Sequence, residues 1–387
     1  MRILTQNIYN LFKRETSQKY IPELDGLRFL AILWVVLLHI QVLYQIQINP
    51  TISDHGFEKL LWYIINNGHM GVPLFFAISG FILGLPFAKH HLVGVKKVSL
   101  RKYFWKRITR LEPPYIIALS SIFLIKVVLN KSVFLELLPN LGASLLYLHN
   151  FIYHSASKIT PIAWSLEIEI QFYVVAPIIA LIYRLGLKRR RFIFLLAIFI
   201  IPFLRNFIDI SFFSFFRYVH YFLVGMLLCD LYVTKSQISI NKGLALVLGL
   251  ILLFSLLLSD SYGFWAKVIY PFLIFMFYYI VLNTQFWQNV FRIKWISIIG
   301  GMCYSIYLLH YVLISVIIKR TSLFSFSTDY TINILVQILI LLPIILIVCS
   351  IYYLLIEKPC MNINWPKNFK KYILKHIYIL LRPNKVK

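Results

Sequence analysis

Residues 23–39 read Glu-Leu-Asp-Gly-Leu-Arg-Phe-Leu-Ala-Ile-Leu-Trp-Val-Val-Leu-Leu-His, an apolar run that contains an arginine and a histidine. Moving an arginine to the centre of a membrane-spanning helix costs about 2.5–3.5 kcal/mol, so such groups usually face a bundle interior or a wet cavity. On a helix, Arg28 and His39 share one face and lie about 16 Å apart along the axis. The stretch therefore predicts a membrane helix that presents two ionisable groups to one cavity.

A structural role for the same two residues stays open. The guanidinium of Arg28 can reach the membrane interface while its apolar stem lies along the helix. His39 can pack against a neighbouring helix through a single hydrogen bond.

The composition indicates a polytopic membrane protein with an all-α fold. Hydrophobic residues make up 60% of the 387 residues and charged residues only 14%, which is far more apolar than a soluble domain. Hydropathy and helix breakers predict about ten transmembrane helices. These spans are roughly 26–46, 71–88, 113–130, 162–183, 192–208, 212–233, 243–259, 264–283, 296–318 and 331–356. Residues 134–153 are expected to form an outer, partly buried or re-entrant segment.

The basic residues predict the orientation of the chain. The formal net charge is +25, but it is no nucleic-acid signal because lysine and arginine fall on alternate connections. With a cytoplasmic N-terminus, 29 of the 39 lie in segments 1–25, 89–110, 184–191, 234–242, 284–295 and 357–387. The positive-inside rule then predicts that both termini are cytoplasmic.

We expect one transmembrane domain, residues 26–356, between a cytoplasmic N-terminal segment, 1–25, and a basic amphipathic tail, 357–387. No apolar region with a cleavage site precedes residue 26, so the first span is expected to be an uncleaved anchor. In the tail, one helix face would carry Phe369, Ile373, Ile377 and Leu380, with lysines mostly off it, as in a helix that lies on anionic lipid. The four cysteines show neither metal spacing nor a disulfide pattern, so no metal site is predicted.

The loop after the second predicted span is rich in basic residues. Arg107 and Arg110 are three residues apart, so on a helix they lie on one ridge, and Lys106 is adjacent. Paired guanidinium groups suit bidentate phosphate contacts. From this loop alone, binding of anionic lipid headgroups is the favoured explanation.

The fourth predicted span opens with Trp164-Ser165-Leu166-Glu167-Ile168-Glu169-Ile170-Gln171-Phe172-Tyr173. Glu167 and Glu169 are about 200° apart around a helix, so they face different sides. Glu167 shares a stripe with Trp164, which resembles the wall of a sugar site with a catalytic or orienting carboxylate. Spacing does not choose between the two carboxylates, and simple hydration near the interface stays open.

Further polar groups occur in other predicted spans. They are Ser79, in a glycine-rich stretch that packing alone explains, Arg205, Arg217 with His220 three residues later, and His310 near Tyr304. Any one of these ionisable residues can be a satisfied structural group. So many of them, spread over several spans, favour convergence on one cavity.

Seven short motifs resemble the ordered signature of the bacterial acyltransferase 3 family. They are Leu24-Asp25-Gly26-Leu27-Arg28 with His39, Phe75-Phe76-Ala77-Ile78-Ser79-Gly80-Phe81, Arg107-Ile108-Thr109-Arg110-Leu111-Glu112-Pro113, Trp164-Ser165-Leu166-Glu167-Ile168-Glu169, Arg217 before Phe222-Leu223-Val224-Gly225, Tyr304-Ser305-Ile306-Tyr307-Leu308-Leu309-His310 and Glu357-Lys358-Pro359. The resemblance runs from about residue 20 to 360. It implies an integral inner-membrane O-acyltransferase that moves acetyl, or another short acyl group, from acetyl-CoA to a glycan hydroxyl.

The resemblance also implies roles for individual residues. His39 would be the catalytic histidine, with Arg28 as its partner on the first span. Arg107 and Arg110 would be the cytoplasmic arginine motif. We further expect Glu167 among the catalytic residues, Lys106 among the donor-binding residues, and an acceptor pocket formed by Trp164, Glu169, Arg217, His310, Tyr304 and Ser79. The expected partners are acyl-CoA, a glycan or lipid-linked saccharide and membrane lipids, with no permanently bound cofactor.

The chemistry of this reaction agrees with the residue types. A neutral imidazole that removes the proton of an attacking hydroxyl contributes typically about 10²–10⁴-fold, and an embedded arginine or tyrosine could stabilise the oxyanion. The alternative is a proton-coupled transporter or flippase for a glycan or lipid-linked substrate. That class predicts interrupted helices in two repeated halves, which the sequence does not show.

Overall fold

The computed structural model of the protein describes residues 9–14, 20–208, 213–236, 240–258, 263–324, 327 and 329–368. Within these ranges the regular elements are helices, and no strand occurs. The prediction of an all-α bundle is therefore confirmed. The predicted amphipathic face of the tail, which begins at Phe369, lies outside the described residues, so the interfacial anchor stays a prediction.

The helices follow one another with short connections. They are α1 (Pro22–Ile48), α2 (Gly56–Asn66), α3 (Gly71–Val93), α4 (Leu100–Leu129), α5 (Phe134–Leu145), α6 (His149–Tyr153), α7 (Trp164–Ile179), α8 (Leu187–Leu204), α9 (Val219–Val233), α10 (Lys242–Leu258), α11 (Phe264–Asn283), α12 (Gln285–Phe291), α13 (Lys294–Gly301), α14 (Cys303–Thr321) and α15 (Tyr330–Tyr352). After α15 the helix widens into a π-helical turn (Tyr353–Glu357) and ends in α16 (Lys358–Cys360).

Seven helical stretches of the described chain are long and apolar enough to cross a membrane. They are Pro22–Ile48, Gly56–Val93, Leu100–Leu129, Pro161–Arg184, Trp265–Asn283, Cys303–Thr321 and Tyr330–Cys360. The predicted spans at 192–208, 212–233 and 243–259 correspond to α8, α9 and α10, which are not among the seven. The first turn of α8 is strongly basic, and α9 and α10 have only 15 and 17 residues. The count of ten and the orientation of the termini therefore remain predictions.

Residues 134–153 form the short helices α5 and α6. α5 has 12 residues and is about 18 Å long, which is well short of the roughly 30 Å hydrocarbon core of a bilayer. Leu137 packs into a hydrophobic cluster with Ile122 of α4. Asn140 and His149 meet through a 2.9 Å hydrogen bond between Oδ1 and Nε2. The segment thus packs against the bundle, as its mixed composition predicts.

The centre of the fold depends on close packing between α3 and α9. A Cβ atom on Gly225 would lie 1.9 Å from the carbonyl oxygen of Ala77, and one on Gly80 would lie 2.0 Å from that of Phe222. Both distances are far inside van der Waals contact, so only glycine allows the two backbones to approach this closely. α9 is buried from Val219 to Asp230, which explains why it is apolar on all sides.

A pair of glycine-to-alanine variants tests this packing. We expect Gly225→Ala to destabilise the bundle by about 1–3 kcal/mol, because the new methyl group forces α3 and α9 apart. Gly142→Ala is the matched control, since a Cβ there meets nothing within 4 Å. That change removes a helix-interior glycine and is expected to stabilise α5 by about 0.5–1 kcal/mol. Thermal unfolding in detergent measures both effects, and equal melting temperatures for the two variants would contradict the packing argument.

Candidate active site

Two histidines from α1 and α14 meet inside the bundle. The Nε2 atom of His310 lies 3.1 Å from Nδ1 of His39, and the ring centroids are 5.0 Å apart. His310 is fully buried, whereas His39 keeps partial exposure. The ring of Tyr311 stands edge-on to His39 at a centroid distance of 5.3 Å. The structure thus joins two residues that the sequence places on different spans.

Backbone carbonyls determine which ring nitrogens carry protons. Nδ1 of His310 is 2.8 Å from the carbonyl oxygen of Ile306, and Nδ1 of His39 is 2.9 Å from that of Val35. Carbonyl oxygens only accept hydrogen bonds, so in the neutral pair both Nδ1 atoms donate and Nε2 of His310 is left to accept from His39. This tautomer assignment leaves the lone pair of His39 Nε2 available, which is what a general base requires.

The second part of the site is an arginine cluster, which we define as Arg14, Arg28, Lys106, Arg107 and Arg110. Arg14 is within electrostatic range of Arg110 and Arg28. Lys106 is within range of Arg110, Arg107 and Arg14. Like charges that interact through a low-dielectric interior repel one another. The cluster therefore needs anions, and three carboxylates supply part of that charge.

The first carboxylate is Asp25, in the opening turn of α1. One of its oxygens, Oδ1, accepts from Arg28, three residues later, and from Nη1 of Arg14 at 3.2 Å. α13 fixes this turn, because a Cβ on Gly300 would lie only 1.7 Å from the carbonyl oxygen of Asp25. Asp25 thus shares its charge between two guanidinium groups.

The second carboxylate, Glu169, connects α7 to α3. Its Oε1 atom accepts from the Ser79 hydroxyl at 2.5 Å and from the Tyr173 hydroxyl at 2.8 Å. Glu169 also acts electrostatically on Arg28 and Arg107. The structure therefore brings Ser79 and Glu169, both predicted for the acceptor pocket, next to the arginine cluster.

Arg107 is positioned by aromatic rings. Its guanidinium carbon lies 3.5 Å from the ring centroid of Tyr103 and 5.5 Å from that of Tyr173, and Nη1 donates to the carbonyl oxygen of Tyr103 at 2.6 Å. Cation–π contacts of this kind hold a guanidinium without neutralising it. Arg107 therefore remains available for an anionic ligand.

The third carboxylate, Glu357, comes from the π-helical turn that follows α15. Its Oε2 atom accepts from the backbone N–H of Ser305 at 3.0 Å and from the Ser305 hydroxyl at 2.6 Å. It thereby satisfies an N–H of the first turn of α14. Its other oxygen, Oε1, lies 4.0 Å from Nη2 of Arg110. A π-turn inserts one residue into a helix and turns the following side chains, and here Glu357 is directed inward.

Glu167 lies in different surroundings from Glu169. Its Oε2 atom accepts from the backbone N–H of Asn150 at 2.8 Å, and the side chain of Asn150 donates to the carbonyl oxygen of Trp164 at 2.9 Å. Glu167 is fully buried, and its Oε1 atom has no hydrogen-bond partner within the described chain. Its visible contacts hold α6 against α7, and its expected catalytic role stays a prediction.

Three other predicted pocket residues make contacts of their own. The ring of Trp164 packs on Tyr218 at a centroid distance of 5.3 Å. Tyr218 follows Arg217 in the sequence, and the carbonyl oxygen of Arg217 accepts a hydrogen bond from Arg205 at 3.0 Å. Tyr304 donates to the carbonyl oxygen of Leu111 at 2.9 Å. Trp164 thus contacts the residue that follows Arg217, and Tyr304 connects α14 to α4.

Sequence reasoning missed several members of the site. Asp25 and Glu357 were visible only as parts of motifs, although an acidic residue three positions before a buried arginine signals an i,i+3 ion pair. Arg14 carries no signal in the sequence, because it lies 11 positions before Asp25 and no helical spacing links the two residues. The described residues contain no group of three or more His, Cys, Asp or Glu side chains arranged to hold a metal ion.

Comparisons with known proteins show which sequences the chain is similar to. The family model described as an acyltransferase domain matches residues 21–354. A protein of Staphylococcus aureus strain COL, named provisionally as an O-acetyltransferase, is 26% identical over 189 residues, which are 46% of this chain and 28% of that protein. O-acetyltransferase OatA of S. aureus strain NCTC 8325 is 24% identical over 173 residues, which are 42% of this chain and 25% of OatA. The chain thus matches about a quarter of the length of these relatives. No solved structure matches it.

The inward placement of Glu357 predicts a stability difference. Glu357→Gln is expected to lower the free energy of unfolding by about 1–3 kcal/mol, because it removes the negative charge opposite Arg110 and weakens the bonds to Ser305. The control is Glu136→Gln, which breaks an exposed 2.6 Å ion pair with Lys158. Exposed pairs contribute about 0–1 kcal/mol. Melting temperatures in detergent separate the two, and a larger loss in the control would contradict the assignment.

Proposed function

The chain belongs to the acyltransferase 3 family, and from this premise we propose that it is an integral membrane O-acyltransferase. The proposed reaction moves an acetyl or other short acyl group from acyl-CoA to a hydroxyl of a cell-surface or exported glycan or a lipid-linked saccharide. The proposed location is the bacterial cytoplasmic membrane, with both termini in the cytoplasm. The names of the curated relatives support O-acetyl transfer, and the distribution of lysine and arginine supports the orientation.

The observation that carries the proposal is the histidine pair, together with an arginine cluster further along the same face of α1. Nε2 of His39 has an available lone pair because the carbonyl of Val35 and the ring of His310 both take its Nδ1–H. Arg28 lies on the same face of α1, about 16 Å along the axis. A base and a phosphate-binding group at that separation fit an extended donor with its phosphates at one end and its thioester at the other.

In the proposed step, the acceptor hydroxyl attacks the acyl carbonyl while Nε2 of His39 takes the hydroxyl proton. A C–O bond forms, the carbonyl becomes a tetrahedral oxyanion, and its collapse breaks the C–S bond. The proton on His39 then passes to the departing thiolate. His310 accepts the Nδ1–H bond throughout, which orients His39 and favours the positive charge that develops on it.

The proposed donor site is the arginine cluster. Five cations face three carboxylates there, so the cluster holds an excess of positive charge. The Nε atoms of Arg14, Arg107 and Arg110 are buried and have no hydrogen-bond partner within the described residues. Charge-assisted bonds from guanidinium groups are the usual means of binding phosphate. A bound CoA diphosphate would supply both the missing charge and the missing acceptors.

Two measurements test the function as a whole. Purified protein is given acetyl-CoA with isolated cell-surface glycan, and free CoA thiol and acetylated glycan are measured over time. Mass spectrometry then compares surface glycans from cells with and without the gene. The expected result is coupled release of thiol and ester formation. Movement of a glycan across the membrane of vesicles that contain the protein, without release of CoA thiol, would favour a transporter instead.

The histidine pair predicts a graded loss of activity. His39→Ala is expected to reduce kcat by at least about 10²-fold, because it removes the base. His310→Phe is expected to cause a smaller loss, since the carbonyl of Val35 still orients Nδ1 of His39. His310→Gln should recover part of it, because the amide oxygen can accept the same hydrogen bond. Full activity of folded His39→Ala would exclude the proposed base.

The arginine cluster predicts an effect on donor binding. Arg107→Gln and Arg110→Gln are expected to raise the donor KM by about tenfold or more, and lysine at either position should restore only part, because the guanidinium fork is lost. Arg101→Gln is the control, since Arg101 is exposed on the same helix. Equal effects at all three positions would indicate binding of lipid headgroups instead of the donor.

A further inference from the structure

A short N-terminal segment, residues 9–14, is attached to the end of the last helix. Tyr353 donates to the carbonyl oxygen of Phe12 at 3.1 Å, and the two rings stack at a centroid distance of 6.3 Å. Nζ of Lys358 donates to the carbonyl oxygen of Leu11 at 2.5 Å. Contacts with ring and backbone atoms hold the segment in place. Arg14, the last residue of this segment, is therefore directed into the bundle.

Arg14 enters the arginine cluster from outside the helices that form it. Its side chain is only 8% exposed, and Nη1 lies 3.2 Å from Oδ1 of Asp25, the oxygen that Arg28 also uses. Burial, followed by the charges of Arg110 and Arg28, lowers the pKa of Arg14 to about 10. Arg14 therefore remains charged near neutral pH, in surroundings that oppose its charge.

A purely structural role leaves part of this arrangement unexplained. Asp25 already has a full counter-charge in Arg28, so Arg14 adds a cation that the local carboxylate does not require. Its Nε atom is buried and lacks a partner within the described residues. An unsatisfied buried donor on a charged group costs about 1–3 kcal/mol or more. An anionic acceptor beside Nε would remove that cost.

We propose that Arg14 binds a phosphate group of the acyl donor, and that residues 9–14 act as a strap that completes the donor site. The inference rests on the proposed function and adds to it a residue outside the matched family region, which begins at residue 21. The ligand is defined by its chemistry as a phosphate ester or diphosphate. A CoA donor and an anionic lipid headgroup both offer such groups, and we assign the CoA phosphates because Arg14 shares Asp25 with Arg28 and interacts electrostatically with Arg110, both members of the proposed donor site.

The test uses the full-length protein and CoA itself as the probe. Arg14→Gln is expected to weaken CoA binding by about tenfold, the loss of one charge-assisted contact, and to raise the acetyl-CoA KM with little change in kcat. Arg14→Lys should recover part of the affinity. Lys13→Gln is the matched control, because Lys13 is the exposed neighbour in the same segment. Isothermal titration measures binding, in nanodiscs of neutral and of anionic lipid.

The outcomes separate the inference from the function on which it rests. Wild-type CoA affinity in folded Arg14→Gln, with normal turnover, would overturn the strap and leave the transferase intact. If Arg14→Gln removes a difference between neutral and anionic nanodiscs but leaves CoA binding unchanged, Arg14 binds lipid headgroups. That result would also overturn the strap. If wild-type protein neither binds CoA nor releases thiol, the proposed function itself fails.

A second readout needs no variant. Trypsin cleaves after Arg14 only when the strap opens, so saturating CoA is expected to slow that cleavage in the wild-type protein several-fold. Pantetheine, which lacks the phosphates, should give no such protection. Equal cleavage rates with and without bound CoA would overturn the proposal even if every Arg14 variant unfolded.

Discussion

Burying several arginines between apolar helices is the constraint on which the rest of this structure depends. A buried guanidinium costs several kcal/mol unless an anion and hydrogen bonds compensate. Three carboxylates from distant parts of the chain supply part of this compensation, and each also fixes a helix. Asp25 ties the opening turn of α1 to the N-terminal segment, Glu169 ties α7 to α3, and Glu357 ties the end of α15 to the start of α14. The same three carboxylates therefore contribute both to the electrostatics of the site and to the relative positions of the helices.

The histidine pair, which we propose supplies the general base, is oriented by few groups. No carboxylate bonds to His39 or His310 within the described residues; two backbone carbonyls and the second imidazole do the orienting. A neutral partner matches an apolar setting, since a charged one would need its own compensation. The arrangement keeps the formal charges in the arginine cluster and surrounds the proposed base, His39, with neutral hydrogen-bond partners among the described residues.

How far the sequence predicts this structure depends on the range of each interaction. The shared face of Arg28 and His39 follows from helix geometry alone, and so does the division of Glu167 and Glu169 between two sides. Periodicity within one helix does not say which neighbour each side meets, so the sequence leaves the choice between the carboxylates open. The contact between His39 and His310 joins residues 271 positions apart, and no local pattern encodes it. The inward turn of Glu357 arises from a π-turn, which has no sequence signature comparable to a proline or glycine.

The spacing of the two parts of the site also constrains the class of donor. On α1, Arg28 and His39 are about three helical turns apart, so a compact acyl phosphate could reach either the cations or the base but not both. The proposed donor, an acyl thioester on a long, flexible arm, would reach both at once, and the excess charge at the arginine cluster suits phosphates at the far end of that arm. Binding energy gained at the phosphates can then position the thioester, which has few hydrogen-bonding groups of its own. In the proposed reaction, the distance between Arg28 and His39 along α1 therefore sets the length that a donor needs in order to reach both.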